Sequence, residues 1–458
     1  MQNITERIET TVKQQHDFFA SGATLDIEVR RAKLAKLKKM VQKHEKEICE
    51  ALFLDLHKSP EESMLTEIQV VLSEIDYHLK HLSRWMKPRQ VSASRATFPG
   101  RSMIHYQPYG VVLIISPWNY PFQLLLNPLV GAIAAGNCAV LKPSPQSAHT
   151  ATLLGRLFNE YFSDRYISLF EGDTEVNQIL LAQKYDYIFF TGGPVFGKYV
   201  AECAARTLTP VTLELGGKSP CIVDKSADID LAARRIVWGK LLNAGQTCIA
   251  PDYVLVDNSC KNELIKKLEK YIIHHFGINP ELSAHYPHII SEEATRRLAN
   301  LLPHSGNILF GGQYNIEKKY FSPTLINEPA PDSPLMQEEI FGPILPLIGF
   351  DRIEEAILFV NKRPKPLALY YFGDKSTALK IMHQTSSGGM CINDTIMHIV
   401  NQHLPFGGVG DSGMGRYHGR ESFITFSNPR SVHQSPTLFD LKFRYAPYKI
   451  PQFLKRFL

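Results

Sequence analysis

The chain has 458 residues, more than one hydrophobic core usually supports, so we expect at least two domains. Its 44% hydrophobic and 21% charged residues are typical of an ordinary soluble protein, and a net charge of only +5 argues against nucleic-acid binding. The polar start does not resemble a secretory signal, and no apolar run reaches the roughly 18–20 residues that span a bilayer.

The first hundred residues are predicted to be helical. Apolar residues between Leu34 and Leu52 recur near helical spacing among many lysines and glutamates. The last helix of this region is expected to end near Trp85, because Pro88 disfavours helical geometry in the residue before it.

From Gly110 the pattern changes to short apolar runs that alternate with helical segments. The runs cover residues 111–116, 138–142, 167–170, 187–190 and 211–215, and the helical segments cover 122–135, 147–162, 175–183 and 195–207. This alternation predicts a parallel sheet covered on both faces, whose ligands bind beyond the carboxyl ends of the strands. The polar residues expected at that edge are Asn119, Lys142, Thr191 and Glu214.

A second alternating stretch runs from near Pro220 to about Asn393 and predicts a second α/β domain. The last sixty residues are predicted to form loops and strands. Within them, Gly408-Val-Gly410-Asp-Ser-Gly413 fits the dinucleotide-binding pattern G-x-G-x-x-G. Because no strand precedes it and no clear helix follows it, we predict a loop rather than a cofactor-binding turn.

Seven cysteines are scattered along the chain without a C-x-x-C pair. This usage predicts reduced thiols and a cytoplasmic location. The histidines have no cysteines at zinc-ligand spacing, so no metal site is expected.

Two residues draw attention as candidates for chemistry. Cys248 has small and polar neighbours that would leave its thiol reachable, although a lone cysteine is more often a small buried hydrophobic residue. Glu214 ends an apolar run, where a carboxylate is costly unless it is solvated, paired or functional. The residues alone leave two interpretations open: a catalytic thiol and base, or a buried thiol and an ion pair between Glu214 and Lys218.

Seven motifs in this order carry a family resemblance: Ser116-Pro-Trp-Asn-Tyr-Pro-Phe122, Lys142-Pro-Ser144, Phe189-Phe-Thr-Gly-Gly193, Val211-Thr-Leu-Glu-Leu-Gly-Gly-Lys-Ser-Pro220, Gly245-Gln-Thr-Cys248, Glu338-Glu-Ile-Phe-Gly-Pro343 and Pro405-Phe-Gly-Gly-Val-Gly-Asp-Ser-Gly413. They resemble the motifs of the aldehyde dehydrogenase superfamily. Residues 363–371 and 415–423 resemble its class 3 branch, which acts on fatty and aromatic aldehydes.

The resemblance implies the aldehyde dehydrogenase fold. Residues 1–88 and 108–214 would form a dinucleotide-binding domain on a five-stranded parallel sheet. Residues 215–397 would form a second α/β domain, the catalytic one, and residues 89–107 and 398–458 a small β bridging region. The same resemblance implies a homodimer joined through this bridging region.

It also implies roles for individual residues. Cys248 would be the nucleophile that forms a thiohemiacetal and then a thioester. Asn119 and the backbone N–H of Cys248 would stabilise the oxyanion, and Glu214 would activate the water that hydrolyses the thioester.

The implied cofactor is NAD or NADP, and five residues match the family's positions for it. They are Lys142 for the adenosine ribose, Gly192 and Gly197 for the diphosphate, and Glu339 and Phe341 for the nicotinamide ribose. Class 3 members usually have glutamate after Lys-Pro-Ser, but this chain has Pro145. The preference between the two cofactors is therefore left open.

The residues expected near the pocket and the basic tail bear on the substrate and on surface contacts. Tyr120, Ile396, Met397 and His398 are expected near the pocket and favour an aldehyde with an apolar or aromatic tail. The tail from residue 441 to 458 carries five basic and no acidic residues. It is expected to pack over the protein, with peripheral contact to an anionic membrane surface as the alternative.

Other functions are less well supported. A binding protein on this fold would be expected to lack the nucleophile or the base, yet both are present. An acylating relative that transfers the acyl group to coenzyme A typically lacks the base, so Glu214 favours water as the acceptor.

Overall fold

The computed structural model describes residues 2–94, 97–303, 306–438, 440 and 444–447. Its α-helices, α1 to α16 in chain order, are Gln2–Ala20, Ile27–Lys43, Glu45–Leu56, Pro60–Ser63, Gln69–Trp85, Gln123–Ala135, Ala148–Tyr161, Thr174–Leu181, Pro194–Ala205, Ile229–Leu241, Lys261–Phe276, Glu292–Leu301, Pro334–Gln337, Ile353–Asn361, Lys375–Gln384 and Arg420–Thr425. Its strands, β1 to β18, are Arg89–Val91, Arg101–Pro108, Val111–Ile115, Cys138–Lys142, Ile167–Leu169, Tyr187–Thr191, Val211–Glu214, Pro220–Val223, Tyr253–Asp257, Asn307–Phe310, Tyr314–Asn315, Tyr320–Phe321, Thr324–Asn327, Ile344–Phe350, Ala368–Phe372, Gly389–Ile392, Gly413–Met414 and Ser427–Gln434.

The first sheet has the strand order β17-β7-β6-β3-β4-β5. Its strands β3 to β7 are parallel, as predicted, and β3, β4 and β6 are buried along their whole length. Helix α6 is buried at every position because it lies between this sheet and helices α2, α5 and α16. The short strand β17 adds an antiparallel edge to the five predicted strands, with Gly413 opposite Glu214.

The second sheet contains β10-β13-β14-β9-β8-β15-β16 and confirms the predicted second α/β region. All neighbouring strands in it are parallel except β10 and β13. Only residues 215–219 connect β7 of the first sheet to β8 of the second, so the carboxyl end of β7 lies close in the chain to the start of the second sheet.

A third, antiparallel sheet has the order β1-β2-β18, with Ser427 opposite Pro108 and Gln434 opposite Arg101. The expectation of loops and strands for the last sixty residues is correct for β18 but misses α16. That helix packs closely on α6: a Cβ added at Gly131 of α6 would lie only 2.7 Å from the Cβ of Ser422 in α16.

The helical prediction for the first hundred residues is confirmed by α1 to α5, and α5 ends at Trp85 as expected. Each of the seven cysteines is a free thiol. Among the described residues, no helix is long and apolar enough to cross a membrane, and no group of three or more His, Cys, Asp or Glu residues is arranged to hold a metal ion. Apart from residues 444–447, the basic tail lies outside the described residues.

Candidate active site

A cavity of about 210 Å³ lies at the carboxyl edge of the first sheet. Its wall contains six of the eight residues that the sequence analysis assigned to catalysis and cofactor binding, namely Cys248, Glu214, Asn119, Gly192, Glu339 and Phe341. Thr191 also lines it, whereas Lys142 and Gly197 do not. The structure therefore brings together residues that are up to 222 positions apart in the chain.

Asn119 lies in the loop after β3 and is buried. Its side-chain Nδ2 donates a hydrogen bond of 2.9 Å to the backbone carbonyl of Gln246. The backbone carbonyl of Asn119 accepts a hydrogen bond of 2.7 Å from Asn243 Nδ2. The amide group is thereby fixed beside the loop that carries Cys248.

The turn that leads into Cys248 has unusual backbone geometry. Asn243, Ala244 and Gly245 have φ values of 52°, 51° and 77°, which place all three residues in the left-handed region. Gly245 is needed there for a second reason, because a Cβ would lie 2.3 Å from the carbonyl oxygen of Gly342. The cysteine loop therefore touches the backbone of the segment that contains Glu339 and Phe341.

Cys248 as a whole residue is partly exposed at the cavity wall. Burial raises its pKa, and the carboxyl groups of Glu339 and Glu214 raise it further, since both disfavour a nearby thiolate. The backbone N–H groups of Cys248 and Ile249 oppose this shift. With its pKa raised, the thiol is protonated at neutral pH. The two backbone N–H groups are the donors that would stabilise negative charge on the sulfur.

Glu214 ends β7 and is buried in the cavity wall. Within the described part of the chain, neither of its carboxylate oxygens has a hydrogen-bond partner. Burial raises its pKa well above the usual range, and Arg416 opposes this only in part. A buried carboxyl group in this condition is costly, and its protonated form is favoured; once ionised, it is well suited to accept a proton.

The alternative of an ion pair between Glu214 and Lys218 is wrong. Lys218 instead pairs with Asp252 and donates to the carbonyls of Leu335 and Glu338, at 2.8 and 2.7 Å. The strand ends at Glu214, and the chain then turns toward the second sheet, which carries the lysine away from the carboxylate.

Glu339 enters the cavity from the loop after α13. Its carboxylate lies directly against Gly216, where a Cβ would be 2.0 Å from Oε2, and it accepts a hydrogen bond from the backbone of Gly217. Burial raises its pKa to about 8. Phe341 packs edge-on against Trp118, with ring centroids 5.4 Å apart, and closes the same side of the cavity.

Gly192 and Gly193 join β6 to helix α9 at the cavity wall. A Cβ at Gly193 would meet nothing within 4 Å, so this surface is open to a ligand at the helix N-terminus. Gly197 has a different place: a Cβ there would lie 2.5 Å from Leu215 Cδ2. It allows α9 to pack closely on the residue after Glu214.

Lys142 ends β4 and is buried. Its amine donates to the carbonyl oxygens of Pro143 and Gly172, at 2.8 and 2.7 Å. Burial lowers its pKa to about 8. It lies at the predicted edge of the sheet but away from the cavity that Cys248 and Glu214 line.

Sequence reasoning missed the residues that support this site from the N-terminal helices. The amine of Lys58, fully buried, donates to Glu67 at 2.7 Å and to the carbonyl of Asn119 at 3.1 Å. Glu62 accepts the backbone N–H of Asn243 at 2.8 Å. The sequence contains no clear signal for these contacts, because Lys58 and Asn119 are 61 positions apart.

Comparison with known proteins identifies the chain's relatives. The profile of the "Aldehyde dehydrogenase family" matches residues 2–432. The 4,4'-diaponeurosporen-aldehyde dehydrogenase of Staphylococcus aureus is 46% identical over 444 residues, 96% of this chain and 97% of that protein. The "Aldehyde dehydrogenase, dimeric NADP-preferring" of Mus musculus is 46% identical over 425 residues, 93% of this chain and 94% of that protein.

The fold agrees with a solved structure described as "Substrate bound state of Staphylococcus Aureus AldH". The TM-score is 0.96 at 45% identity, over 98% of this chain and 99% of the other. These matches confirm both the family resemblance and the fold class predicted from the motifs. The chain therefore belongs to the aldehyde dehydrogenase family and is an oxidoreductase that acts on aldehydes.

Proposed function

We propose that this protein oxidises an aldehyde to its carboxylic acid with NAD or NADP, through a thiohemiacetal and a thioester on Cys248. The observation that carries the proposal is the single cavity that brings the Cys248 thiol, the Asn119 amide and the unpartnered carboxyl group of Glu214 together. A thiol, an amide donor and a base in one cavity suit acyl-transfer chemistry.

In the first half of the reaction, Cys248 loses its proton and its Sγ attacks the aldehyde carbon. Charge develops on the aldehyde oxygen, which Asn119 Nδ2 and the backbone N–H of Cys248 stabilise. One donor of this kind contributes roughly 3–4 kcal/mol to the transition state. Because its hydrogen bond to the Gln246 carbonyl fixes the Asn119 side chain, the amide requires little reorganisation before it acts.

In the second half, Glu214 takes a proton from the water that attacks the thioester carbon, and the Cys248 sulfur leaves. Its raised pKa makes it a stronger base than an exposed glutamate once it is ionised. The presence of Glu214 as a base also supports water, rather than coenzyme A, as the acceptor of the acyl group.

Three features fit a nicotinamide dinucleotide. The N-terminus of α9 is open at Gly193, a suitable surface for a diphosphate. Glu339 and Phe341 lie in the same cavity as Cys248 and would hold the nicotinamide ribose, and Lys142 would lie on the adenosine side. When bound, the nicotinamide would supply the acceptor for the hydride that the thiohemiacetal carbon loses. A relative named as NADP-preferring supports this assignment.

We propose an aliphatic or aromatic aldehyde as the substrate. The Staphylococcus aureus relative is named for an aldehyde of the diaponeurosporene type. Of the four residues expected near the pocket, Tyr120 and Ile396 are buried and Met397 is exposed, and none of the four, which include His398, lines the described cavity. We further propose that the three sheets correspond to the three regions expected from the sequence, and that the protein is cytoplasmic.

Substitution of the nucleophile tests the proposal. Cys248→Ala is expected to abolish aldehyde oxidation, because no other group on the cavity wall can form the thioester. Cys49 is the matched control, since it is also partly exposed and lies on α3 outside the cavity. Cys49→Ala is expected to retain activity, and normal turnover by Cys248→Ala would refute the mechanism.

Substitution of the base separates the two halves of the reaction. Glu214→Gln is expected to form the thioester but to hydrolyse it slowly, so the acyl-enzyme accumulates. Intact-protein mass spectrometry after mixing with hexanal and NADP would detect the added acyl mass, and peptide mapping would locate it on Cys248. If the variant shows no adduct and no activity, Glu214 acts before acylation instead.

A further inference from the structure

We propose that Lys218 and Asp252 form a positioning pair that holds Glu339 in place and thereby sets the affinity of the enzyme for its cofactor. The inference rests on the proposed function, which places Glu339 in the cofactor site. The proposed mechanism gives neither Lys218 nor Asp252 a role.

Lys218 binds the segment of chain that leads into Glu339. Its side chain is nearly buried, and its amine makes three contacts: the carboxylate of Asp252 and the carbonyls of Leu335 and Glu338. An ammonium group has three donors, so its capacity is filled. Two of the three acceptors lie just before Glu339 in the chain: Leu335 is in α13, and Glu338 follows that helix.

Asp252 holds the other side of Glu339. One of its oxygens accepts from Lys218, and the other accepts the backbone N–H of Ile340 at 2.9 Å. The pair therefore bonds the main chain immediately before and immediately after Glu339. Arg297 adds bonds to the carbonyls of Glu339 and Ile340, so little of this backbone is left without a partner.

The pair also fixes the surface that Glu339 rests on. Its carboxylate packs on Gly216 and accepts a hydrogen bond from Gly217, the two residues directly before Lys218. Residues 216–218 thus contact the Glu339 carboxylate through the two glycines and bind the residues before Glu339 through Lys218. Because Glu214 lies just before these residues, the base and the cofactor contact share one piece of backbone.

The position of the pair argues for a role beyond general stability. A buried ion pair often contributes little net stability, since desolvation of the two charges offsets their attraction. Here every hydrogen bond of the two side chains goes to the other member or to residues 335–340. We therefore expect its loss to affect cofactor binding more than the rest of the site.

The experiment compares Lys218→Met, Lys218→Arg and Glu339→Gln, all in the full-length protein. NADP⁺ binding to the free enzyme is measured by isothermal titration calorimetry. The rate at which iodoacetamide alkylates Cys248 without cofactor is measured in parallel. Lys261→Met is the matched control, since Lys261 is also nearly buried and paired, with Glu328, but its contacts are remote from the cavity.

Lys218→Met is expected to weaken NADP⁺ binding at least about tenfold, while the alkylation rate changes much less. Lys218→Arg keeps the charge and is expected to recover part of the affinity, and Lys261→Met is expected to bind normally. If Lys218→Met does not fold, the double variant Lys218→Met with Asp252→Leu replaces it, because it leaves no unpaired buried charge.

The inference is overturned if Glu339→Gln binds NADP⁺ more weakly than the native protein while a folded Lys218→Met protein binds it with normal affinity. Equal losses of affinity and thiol reactivity in Lys218→Met would also overturn it, since they indicate general damage. If Glu339→Gln binds normally, the assignment of Glu339 in the proposed function fails, and the positioning role fails with it.

Discussion

The side chain of Asn119 donates a 2.9 Å hydrogen bond to the backbone carbonyl of Gln246, two residues before Cys248. Asn119 follows a strand of the first sheet, whereas Gln246 lies in the turn after α10 beside the second. The bond therefore joins the proposed oxyanion donor to the loop of the proposed nucleophile across the two sheets.

Asn119→Ala is expected to lower kcat by about a hundredfold to a thousandfold, because it removes one oxyanion donor and loosens the cysteine loop. Steady-state kinetics with a saturating aldehyde would measure the loss. Asn361→Ala is the control, since Asn361 also donates its side-chain amide to a backbone carbonyl, that of Gln384, but on the exposed surface. An unchanged kcat for Asn119→Ala would exclude the role.

The second prediction concerns the pH dependence of the Cys248 thiol in the free enzyme. Its pKa is raised by burial and by Glu339 and Glu214. The thiolate is the reactive form, so its fraction at neutral pH is small and rises with pH. The iodoacetamide alkylation rate without cofactor is expected to keep rising between about pH 7 and pH 9.

Glu214→Gln provides the control for this measurement, because it removes one carboxylate that disfavours the thiolate. Its alkylation profile is expected to shift toward lower pH. A plateau of the native enzyme's rate below about pH 8 would show that the thiol is activated before the cofactor binds.

The third prediction concerns cofactor preference at Pro145, which is exposed in the turn after Lys142. A carboxylate there would repel the 2′-phosphate of NADP by roughly 4 kcal/mol for two unit charges 4 Å apart at an effective dielectric of about 20. Since proline lacks that charge, both cofactors are expected to work, with kcat/KM values within about a hundredfold of each other.

Pro145→Glu should move the ratio of kcat/KM values toward NAD. Pro331→Glu is the control, because it adds the same charge in another exposed turn. A native enzyme that does not use NADP at millimolar concentration, or an unchanged ratio in Pro145→Glu, would refute the electrostatic explanation. A relative at 46% identity is named as NADP-preferring, which makes the comparison informative.

The fourth prediction is a homodimer formed through the sheet of β1, β2 and β18. Strand β18 pairs with β2 on one side, and no described strand pairs with its other edge. Such an edge is commonly covered by another chain. Sedimentation velocity is expected to give twice 51.8 kDa at micromolar concentration, and a monomer mass over a loading series would contradict the prediction.

The sequence predicted the parallel sheet well because its strands are buried on both faces and form continuous apolar runs. It missed β17 because Gly413–Met414 is two residues long and lies in a glycine-rich loop without an apolar run. It also missed α16, a helix of six residues whose position depends on the contact with Gly131.

The candidate site was predicted mainly from motifs, and the residue pattern alone did not decide between the two interpretations of Glu214. Lys218 is only four positions away, so an ion pair was reasonable. Its partner Asp252 is 34 positions further on, and only the three-dimensional arrangement of the two sheets brings them together. Long-range contacts of this kind depend on strand order, which periodicity does not reveal.

The turn at Gly245 has a consequence for how this enzyme can change. A side chain at that position would collide with the carbonyl of Gly342, a main-chain atom that cannot swing aside. The distance between the proposed nucleophile and the proposed cofactor residues Glu339 and Phe341 therefore depends on two stretches of backbone in contact. Under the proposed mechanism, substitutions elsewhere on the cavity wall are expected to change which aldehyde binds without lengthening this distance. A variant library that keeps glycine at position 245 and varies the cavity wall is therefore expected to change substrate range while it preserves this backbone contact.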